Sequence, residues 1–434
     1  MTLIDLTAPT VRDGRLDGLP VAIIGAGPVG LAAAANLVER GIDFVVLEAG
    51  DGPAASVRAW GHTRLFSPWK HVIDPAARRL LEASGWITPA DQDAAPTGRD
   101  LADRYLAPLA ALDAIAPHVR YGVTVDAVSR LGMDRTRSAG RASTPFVLRL
   151  NERDELTARA VIDASGTYTS GNSLGSSGLD PVGLAGVRDL VADALPDVLG
   201  RDRERFAGKH TAVVGAGHSA ANTLIALAEL IEAEPDTMVT WVIRNPTAVR
   251  VFTSDDDELS DRASLGVRVQ RLIDRGAIAV LDRFEITGLT RFANRARVTG
   301  DRAGKVEHLT VDGIVNATGF RPDLGMLREI RLDLDEVVEA PRQLAPLIDP
   351  NIHSCGTVEP HGFTELQQPE PNFFLAGMKS YGRAPTFLLA TGYEQVRSIT
   401  AYLAGDLKAA RAVQLVLPAT GVCSTDASAS SCCS

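Results

Sequence analysis

The sequence predicts an α/β fold with two Rossmann-like, parallel-sheet units, and three observations predict it. Two glycine-rich turns, Gly25-Ala-Gly27-Pro28-Val-Gly30 and Gly215-Ala-Gly217-His218-Ser219-Ala220, each follow a short apolar run and open an Ala-rich stretch. Strand-like and helix-like segments alternate along much of the chain, the pattern of a parallel sheet with crossover helices. The composition, 45% hydrophobic and 23% charged over 434 residues, is that of a globular chain long enough for several domains.

The first unit begins with the strand Val21 to Ile24. The apolar run Val21 to Val38, broken only by Asn36, has the length of a membrane span. Three glycines and a proline within one turn argue against that reading, so the run divides into strand, turn and a helix to about Arg40. The following strand ends at Glu48. Gly25 makes the tight turn, Gly27 lets backbone approach a pyrophosphate, and Gly30 lets helix and strand pack closely. The helix that starts at Pro28 offers N–H groups to phosphates, and the Glu48 carboxylate accepts from a ribose diol.

The second unit repeats this plan with a strand Thr211 to Val214 and a helix Ser219 to Glu232. Its next strand, Met238 to Ile243, ends at Arg244 rather than at an acid. A guanidinium there pairs with a 2′-phosphate and favours NADPH over NADH. His218 reads as a cap or phosphate contact. One tightly held and one exchanging dinucleotide on the same chain imply hydride transfer from nicotinamide to flavin.

Further segments fit around these units. Phe146 to Leu150 and Ala160 to Ala164 read as strands, the latter entering Ser165-Gly166, and Thr167 to Gly178 is a Gly/Ser-rich loop. Asp312 to Asn316 reads as a buried strand that enters the turn Thr318-Gly319. Asn372 to Ala376 is a further strand, ending at Gly377-Met378. A polar turn, Lys379 to Pro385, leads into a helix Thr386 to Leu403 stopped by Gly405, whose positive end is expected to face the N1–C2=O edge of a flavin. The expected layout is a first domain in two parts, 1–170 and 319–410, with a second domain, 206–318, inserted after a connector, 171–205. A tail, 411–434, follows.

The formal net charge of −10 argues against a binder of nucleic acid or anionic membrane, which would need a basic face. No basic n-region precedes an apolar stretch, so no secretory signal is expected. Four cysteines are too few for a disulfide scaffold, and a reduced, cytoplasmic setting is expected. No Cys-x-x-Cys occurs, and Cys355 is the one cysteine outside the tail, which argues against a dithiol beside the flavin. Cys423, Cys432 and Cys433 lie in the last twelve residues. Such thiols suit a thiophilic ion, while a redox-active dithiol and a tail without function stay open as readings. The cluster His353, Cys355, Glu359 and His361 stays open as a metal site, although one cysteine and two histidines at irregular spacing match no known motif.

These motifs together resemble the flavin-containing monooxygenase-like branch of the two-dinucleotide-binding flavoproteins, over about Leu19 to Asp406. The marks are the two glycine turns, Phe206-Ala-Gly208-Lys209, and Ala317-Thr318-Gly319-Phe320. More narrowly, Trp60 to Trp69 and Ser380-Tyr-Gly-Arg383-Ala-Pro resemble bacterial flavoproteins found with arsenic-resistance functions, whose Cys-rich tails are similar to this one.

The resemblance implies FAD in the first domain and NADPH in the second. It also implies dioxygen and a small soft-heteroatom substrate, such as an arsenical, oxygenated through a C4a-peroxyflavin. Cofactor contacts are then expected also from Val125, Gly166, Thr318, Gly319, Gly377, Met378 and Thr386. His62, Trp69 and Arg383 are the candidate catalytic residues, with Lys70 and Tyr381 beside them, although His62 and Trp69 also read as plain structural residues. The family's F-x-G-x-x-x-H stretch has no clear match here. The usual Gly-Asp at the flavin ribitol is replaced by Gly377-Met378, which shifts anchoring to backbone groups or to Ser380 and Arg383. The alternative function is an NADPH-dependent flavin reductase that passes electrons through the C-terminal thiols to a metal ion, metalloid ion or disulfide. Whether the protein is a homodimer stays open.

Overall fold

A computed structural model describes residues 15–248, 251, 260–349, 360–384 and 387–415. In the first part of the chain the strands are β1 (Val21–Ile24), β2 (Phe44–Leu47), β3 (Val119–Arg120), β4 (Val125–Arg130), β5 (Phe146–Leu150), β6 (Asp154–Ala158) and β7 (Ala160–Asp163). Then follow β8 (Val191–Ala192), β9 (His210–Val214), β10 (Met238–Val242), β11 (Ala279–Leu281), β12 (Phe284–Phe292), β13 (Arg295–Arg302), β14 (Lys305–Val311), β15 (Gly313–Asn316) and β16 (Phe373–Leu375).

Two parallel sheets carry the architecture, in the orders β16-β7-β1-β2-β3 and β11-β10-β9-β15-β8. Strands β1, β2 and β7 are buried throughout, as expected for parallel strands covered on both faces. Each sheet is accompanied by an antiparallel meander, β4-β5-β6 in the first half and β12-β13-β14 in the second. In both units the first strand, the glycine turn and the following helix are adjacent in sequence. This brings the helix N-terminus to the carboxyl edge of the sheet, where ligands of such folds bind.

The first helix, Pro28–Glu39, has proline at its opening and buries Leu31, the alanines 32–35 and Leu37. Small side chains let it lie close to the helices Pro75–Ala83 and Leu389–Leu403. Its apolar surface joins Val21, Ile23, Val46, Ile162 and Phe374 of the first sheet in one core. A separate core gathers Val213, Leu224, Trp241 and Val315 around the second sheet. The run Val21 to Val38 therefore breaks at Gly25 into strand and helix. Among the described residues no helix is long and apolar enough to cross a membrane.

A buried ionic clasp ties the first meander to the returning chain. Glu370, fully buried, accepts from Arg130 Nε at 2.7 Å and from Arg141 Nε at 2.9 Å. The remaining guanidinium hydrogens reach the carbonyls of Thr144, Pro371, Asp134 and Glu329. The two guanidinium groups hold the Glu370 carboxyl below the usual range, against the upward push of burial.

Several boundaries differ from expectation, most by one or two residues. The segment 171–205 is more than a connector, because β8 pairs with β15 at the edge of the second sheet and Val187 and Val191 enter its core. Their apolar side chains cover one face of that sheet. The last long helix starts at Leu389 rather than Thr386, and its first turn has no side-chain cap. Strand β7 stops at Asp163, leaving Ala164 in the turn.

Candidate functional site

At the first glycine turn, Gly25 has φ +99°, and a Cβ there would stand 2.8 Å from the Ala164 carbonyl oxygen. Its N–H donates to Leu47 O at 2.7 Å, which binds the turn to β2. A Cβ on Gly30 would overlap the Gly25 carbonyl, so the helix approaches its own turn closely. A Cβ on Gly27 would meet nothing within 4 Å. The helix that Pro28 begins has no side-chain cap. Open space over uncapped N–H groups at a helix N-terminus fits a pyrophosphate. The Glu48 carboxylate lies beside it, accepting from Ala26 N–H at 2.6 Å and Gly50 N–H at 2.8 Å.

The second turn repeats the geometry. Gly215 has φ +132°, and a Cβ there would overlap the Ala317 carbonyl. Trp241 Nε1 donates to Gly215 O at 2.7 Å and fixes the turn from below. Gly217 again faces open space, and the helix His218–Ala233 has no side-chain cap. Ser219 lies in its first turn, half-buried, and its carbonyl accepts from Thr223 Oγ1. Arg244, just beyond β10, is exposed. This donor set fits a second dinucleotide, and Arg244 lies exposed at the end of β10 beside it.

The two domains meet along paired crossovers. Asn172 N–H donates to Gly319 O at 2.9 Å, and Arg321 N–H donates to Ser170 O at 3.0 Å. Thr318 Oγ1 donates to Asn316 Oδ1 at 2.7 Å, and Asn316 Nδ2 donates to Asn172 O at 2.9 Å. Gly166 and Gly319 take positive φ of +74° and +99° in these crossovers. From the other side, Phe66 meets the His218 ring edge-on, with centroids 5.1 Å apart. The loop before Trp69 thus reaches the second glycine turn.

A third wall comes from the turn after β16. Gly377 N–H donates to Gln395 Oε1 at 2.8 Å. Gln395 Nε2 donates to Ser380 Oγ at 2.9 Å, and Ser380 Oγ donates to Gly377 O at 2.7 Å. Gln395 Nε2 also lies 3.0 Å from His361 Nε2, so His361 supports this turn from the core. A Cβ on Gly377 would stand 3.1 Å from Val29, which places the turn against the start of the first helix. Met378 is half-buried beside it. Lys379 is buried on Asp163.

The sequence-predicted residues divide accordingly. The glycines of both turns, Pro28, Glu48, His218, Ser219, Thr318, Gly319, Gly166 and Gly377 line the two cradles and the crossovers between them. Val125 instead is buried at the start of β4 against Leu150, in the meander. Trp69 is 3% exposed in the first core with the Arg104 guanidinium over its ring, a packing role that its apolar surface explains. His62 is exposed toward residues 196–202, where partial desolvation lowers its imidazole pKa against the opposing pull of Asp197 and Asp202. Lys70 is exposed and pairs with Asp93 at 2.7 Å. The side chain of Arg383 is exposed, while its N–H donates to Val338 O at 2.6 Å.

Tyr381 is buried, which pushes its hydroxyl pKa up. Ser380 is taken up inside the Gly377 turn, so the anchoring expected of it falls to backbone. Thr386, His353, Cys355, Glu359, Cys423, Cys432 and Cys433 lie outside the described residues. Among the described residues no group of three His, Cys, Asp or Glu is placed to hold a metal.

Sequence reasoning missed Lys379, Asp163, Gln395 and Phe66. Lys379 and Asp163 are 216 positions apart in number, and no local pattern links them. A lysine inside an otherwise buried turn was the available signal. A cavity of about 330 Å³ lies at the far end of the first helix, lined by Asn36, Glu39, Asp74, Tyr393 and Arg397 among others, away from both glycine turns.

The sequence profile of the family described as "Pyridine nucleotide-disulphide oxidoreductase" matches residues 22–355. The ferredoxin–NADP reductase of Paramagnetospirillum magneticum is 24% identical over 340 residues, covering 77% of this chain and 83% of that protein. An indole-3-pyruvate monooxygenase of Oryza sativa subsp. japonica is 27% identical over 329 residues, covering 74% of this chain and 70% of that protein. The bacillithiol disulfide reductase of Staphylococcus aureus shares the fold with a TM-score of 0.63 at 17% identity, over 89% of this chain and 98% of that one.

Proposed function

Because the chain belongs to the pyridine nucleotide-disulphide oxidoreductase family, and is an FAD- and NADPH-dependent oxidoreductase, we propose that it is a monooxygenase of small substrates at a soft heteroatom. The observation that carries this reading is the absence of any cysteine before residue 355 in a chain with two intact dinucleotide cradles. A disulfide reductase of this fold class needs a thiol at the flavin, and neither glycine turn nor the Gly377 turn supplies one. We take dioxygen as the acceptor, as the resemblance implies. A trivalent arsenical is the substrate class we favour, on the thiophilic tail and the resemblance of Trp60 to Trp69.

FAD, when bound, supplies the redox chemistry, accepting hydride from NADPH and activating dioxygen. The chain's own residues do the rest. The Gly27 and Gly217 cradles hold two pyrophosphates on uncapped helix N-termini. Glu48 is already oriented by Ala26 and Gly50 to accept from a ribose diol. Arg244 reads the 2′-phosphate and selects NADPH. Phe66, laid against His218, keeps water from the crevice between the cradles. The crossovers through Asn172 and Thr318 hold the two domains in register for hydride transfer.

The test is the fate of dioxygen. The purified holoprotein is supplied with NADPH and a trivalent methylarsenical, a thioether or an amine in turn. Oxygenated product at close to one per NADPH, with one of these, is expected. Peroxide at one per NADPH with every probe rejects the monooxygenase.

The adjacent pair Cys432-Cys433 supports the second reading, a flavin reductase that passes electrons to a thiophilic ion or disulfide. The double variant Cys432→Ser/Cys433→Ser separates the two. Under the first reading it reduces flavin and oxygenates as before while binding trivalent arsenic more weakly; under the second it loses turnover. Both readings carry a cytoplasmic location.

A further inference from the structure

The crevice floor holds a charged group that neither cradle requires. Lys379, 2% exposed, lies with its Nζ 2.7 Å from Asp163 Oδ2, and the Asp163 side chain is fully buried. The same Nζ donates to Ser165 Oγ at 3.0 Å. Ser165 Oγ in turn donates to Asp163 Oδ1 at 2.7 Å, and Ser165 N–H donates to that oxygen at 3.1 Å. Three side chains from two turns thus close a ring. Ser165 accepts one of the three ammonium hydrogens, and Asp163 Oδ2 faces the ammonium as a close ion pair without a hydrogen bond.

The position of the ring gives it meaning. Asp163 ends β7, in register with Ile24 of β1 and Leu375 of β16, so it sits at the carboxyl edge of the first sheet. Ser165 Cα would stand 3.1 Å from a Cβ on Gly25, and Lys379 lies two residues beyond Gly377. Ser165 is exposed, while Lys379 and Asp163 are buried. Desolvating two ions costs several kcal/mol each, and packed apolar residues often do as well for stability. An ion pair kept at the cofactor edge points to an electrostatic task.

We propose that Lys379 is a positioning residue for the flavin's redox chemistry, raising the reduction potential of bound FAD. FAD, if bound here, would accept a hydride (one proton with two electrons) from NADPH, leaving NADP+, and the negative charge so added would be neutralised by a proton from solvent. A fixed cation in a water-poor floor stabilises that added charge, and Asp163 and Ser165 hold the cation in place. The inference rests on FAD binding, not on the monooxygenase reading.

The experiment is a dye-equilibrated reductive titration of the holoprotein without substrate or dioxygen, alongside FAD content. Its outcome is therefore independent of the final acceptor. Lys379→Met is expected to retain FAD and to show about tenfold less reduced flavin at a given dye potential, a shift of ~30 mV for a two-electron couple. Lys379→Arg is expected to restore the wild-type potential. Unchanged potential in Lys379→Met with full FAD content overturns the proposal. Should that variant lose FAD, Lys379→Gln, an uncharged donor of similar reach, takes its place. A tenfold shift in it with FAD bound supports the proposal, and a wild-type potential rejects it.

Discussion

The two glycine turns share one backbone geometry and differ in what surrounds them. At the first, Glu48 is clasped by two N–H groups, and a buried ion pair lies beneath the crevice. At the second, Arg244 is exposed, and ion pairs of that domain, such as Arg275 with Glu232, face solvent. A site whose acid is held before the ligand arrives suits a cofactor that stays. A site whose cation must be ordered by its ligand suits a cofactor that leaves, since ordering entropy weakens binding.

The largest effect that tests this contrast comes from the turns themselves. Gly25→Val and Gly215→Val both place a branched side chain at positive φ against a carbonyl. Gly25→Val is expected to yield protein without FAD, read by absorbance at the flavin bands. Gly215→Val is expected to keep FAD but to lose reduction by NADPH, while dithionite still bleaches it. Loss of FAD from both would show that the second domain supports the first cradle.

Next is the clasp that belongs to the first domain alone. Glu370→Gln leaves two buried guanidinium groups without their counter-charge, a loss on the order of 3–5 kcal/mol. Chemical denaturation followed by flavin release is expected to shift by that amount, with little change in the fluorescence of Trp241 in the second core. Equal shifts by both probes would mean that the two domains unfold as one.

A smaller effect is expected at Arg244. Arg244→Ala removes a charged contact worth about 1.5–3 kcal/mol. The KM for NADPH is expected to rise roughly tenfold or more, with that for NADH little changed. Equal effects on both cofactors would place the 2′-phosphate elsewhere.

Much of this contrast is legible in the sequence, because it rests on local spacing. Gly25 to Gly30 and Gly215 to Ala220 carry their strand, turn and helix within thirty residues, and Glu48 and Arg244 fall where the next strand must end. What was not legible depends on long-range closure. Asp163 finds Lys379, and Arg130 finds Glu370, only when β7 and β16 become neighbours in the sheet. Trp69 shows the converse, since an aromatic beside His62 suggests a pocket until the Arg104 helix covers it. The segment 171–205 was legible as a loop but not as a sheet edge, because two-residue strands have no pattern of their own.

The last effect concerns a part of the first domain remote from both turns. Asp74 caps the helix Pro75–Ala83, accepting from Ala77 N–H at 2.8 Å, and its own N–H donates to the Tyr105 hydroxyl at 3.0 Å. Burial pushes its carboxyl up to about 7, with the cap and the Asn36 amide opposing. The folded-state value thus lies above the unfolded one, so the neutral carboxyl is favoured by folding. Its contribution is fully present below the unfolded value near 3.8 and is lost as pH rises through about 7. Across that window stability is expected to fall by up to about 1.4 kcal/mol per pH unit. Asp74→Asn keeps a side-chain oxygen for the cap and removes the titration. Its melting temperature is expected to match wild type near pH 4 and to exceed it near pH 8, with the FAD potential unmoved. A variant that is less stable than wild type at both ends would show that the carboxyl is ionised in the fold and works as a charged cap.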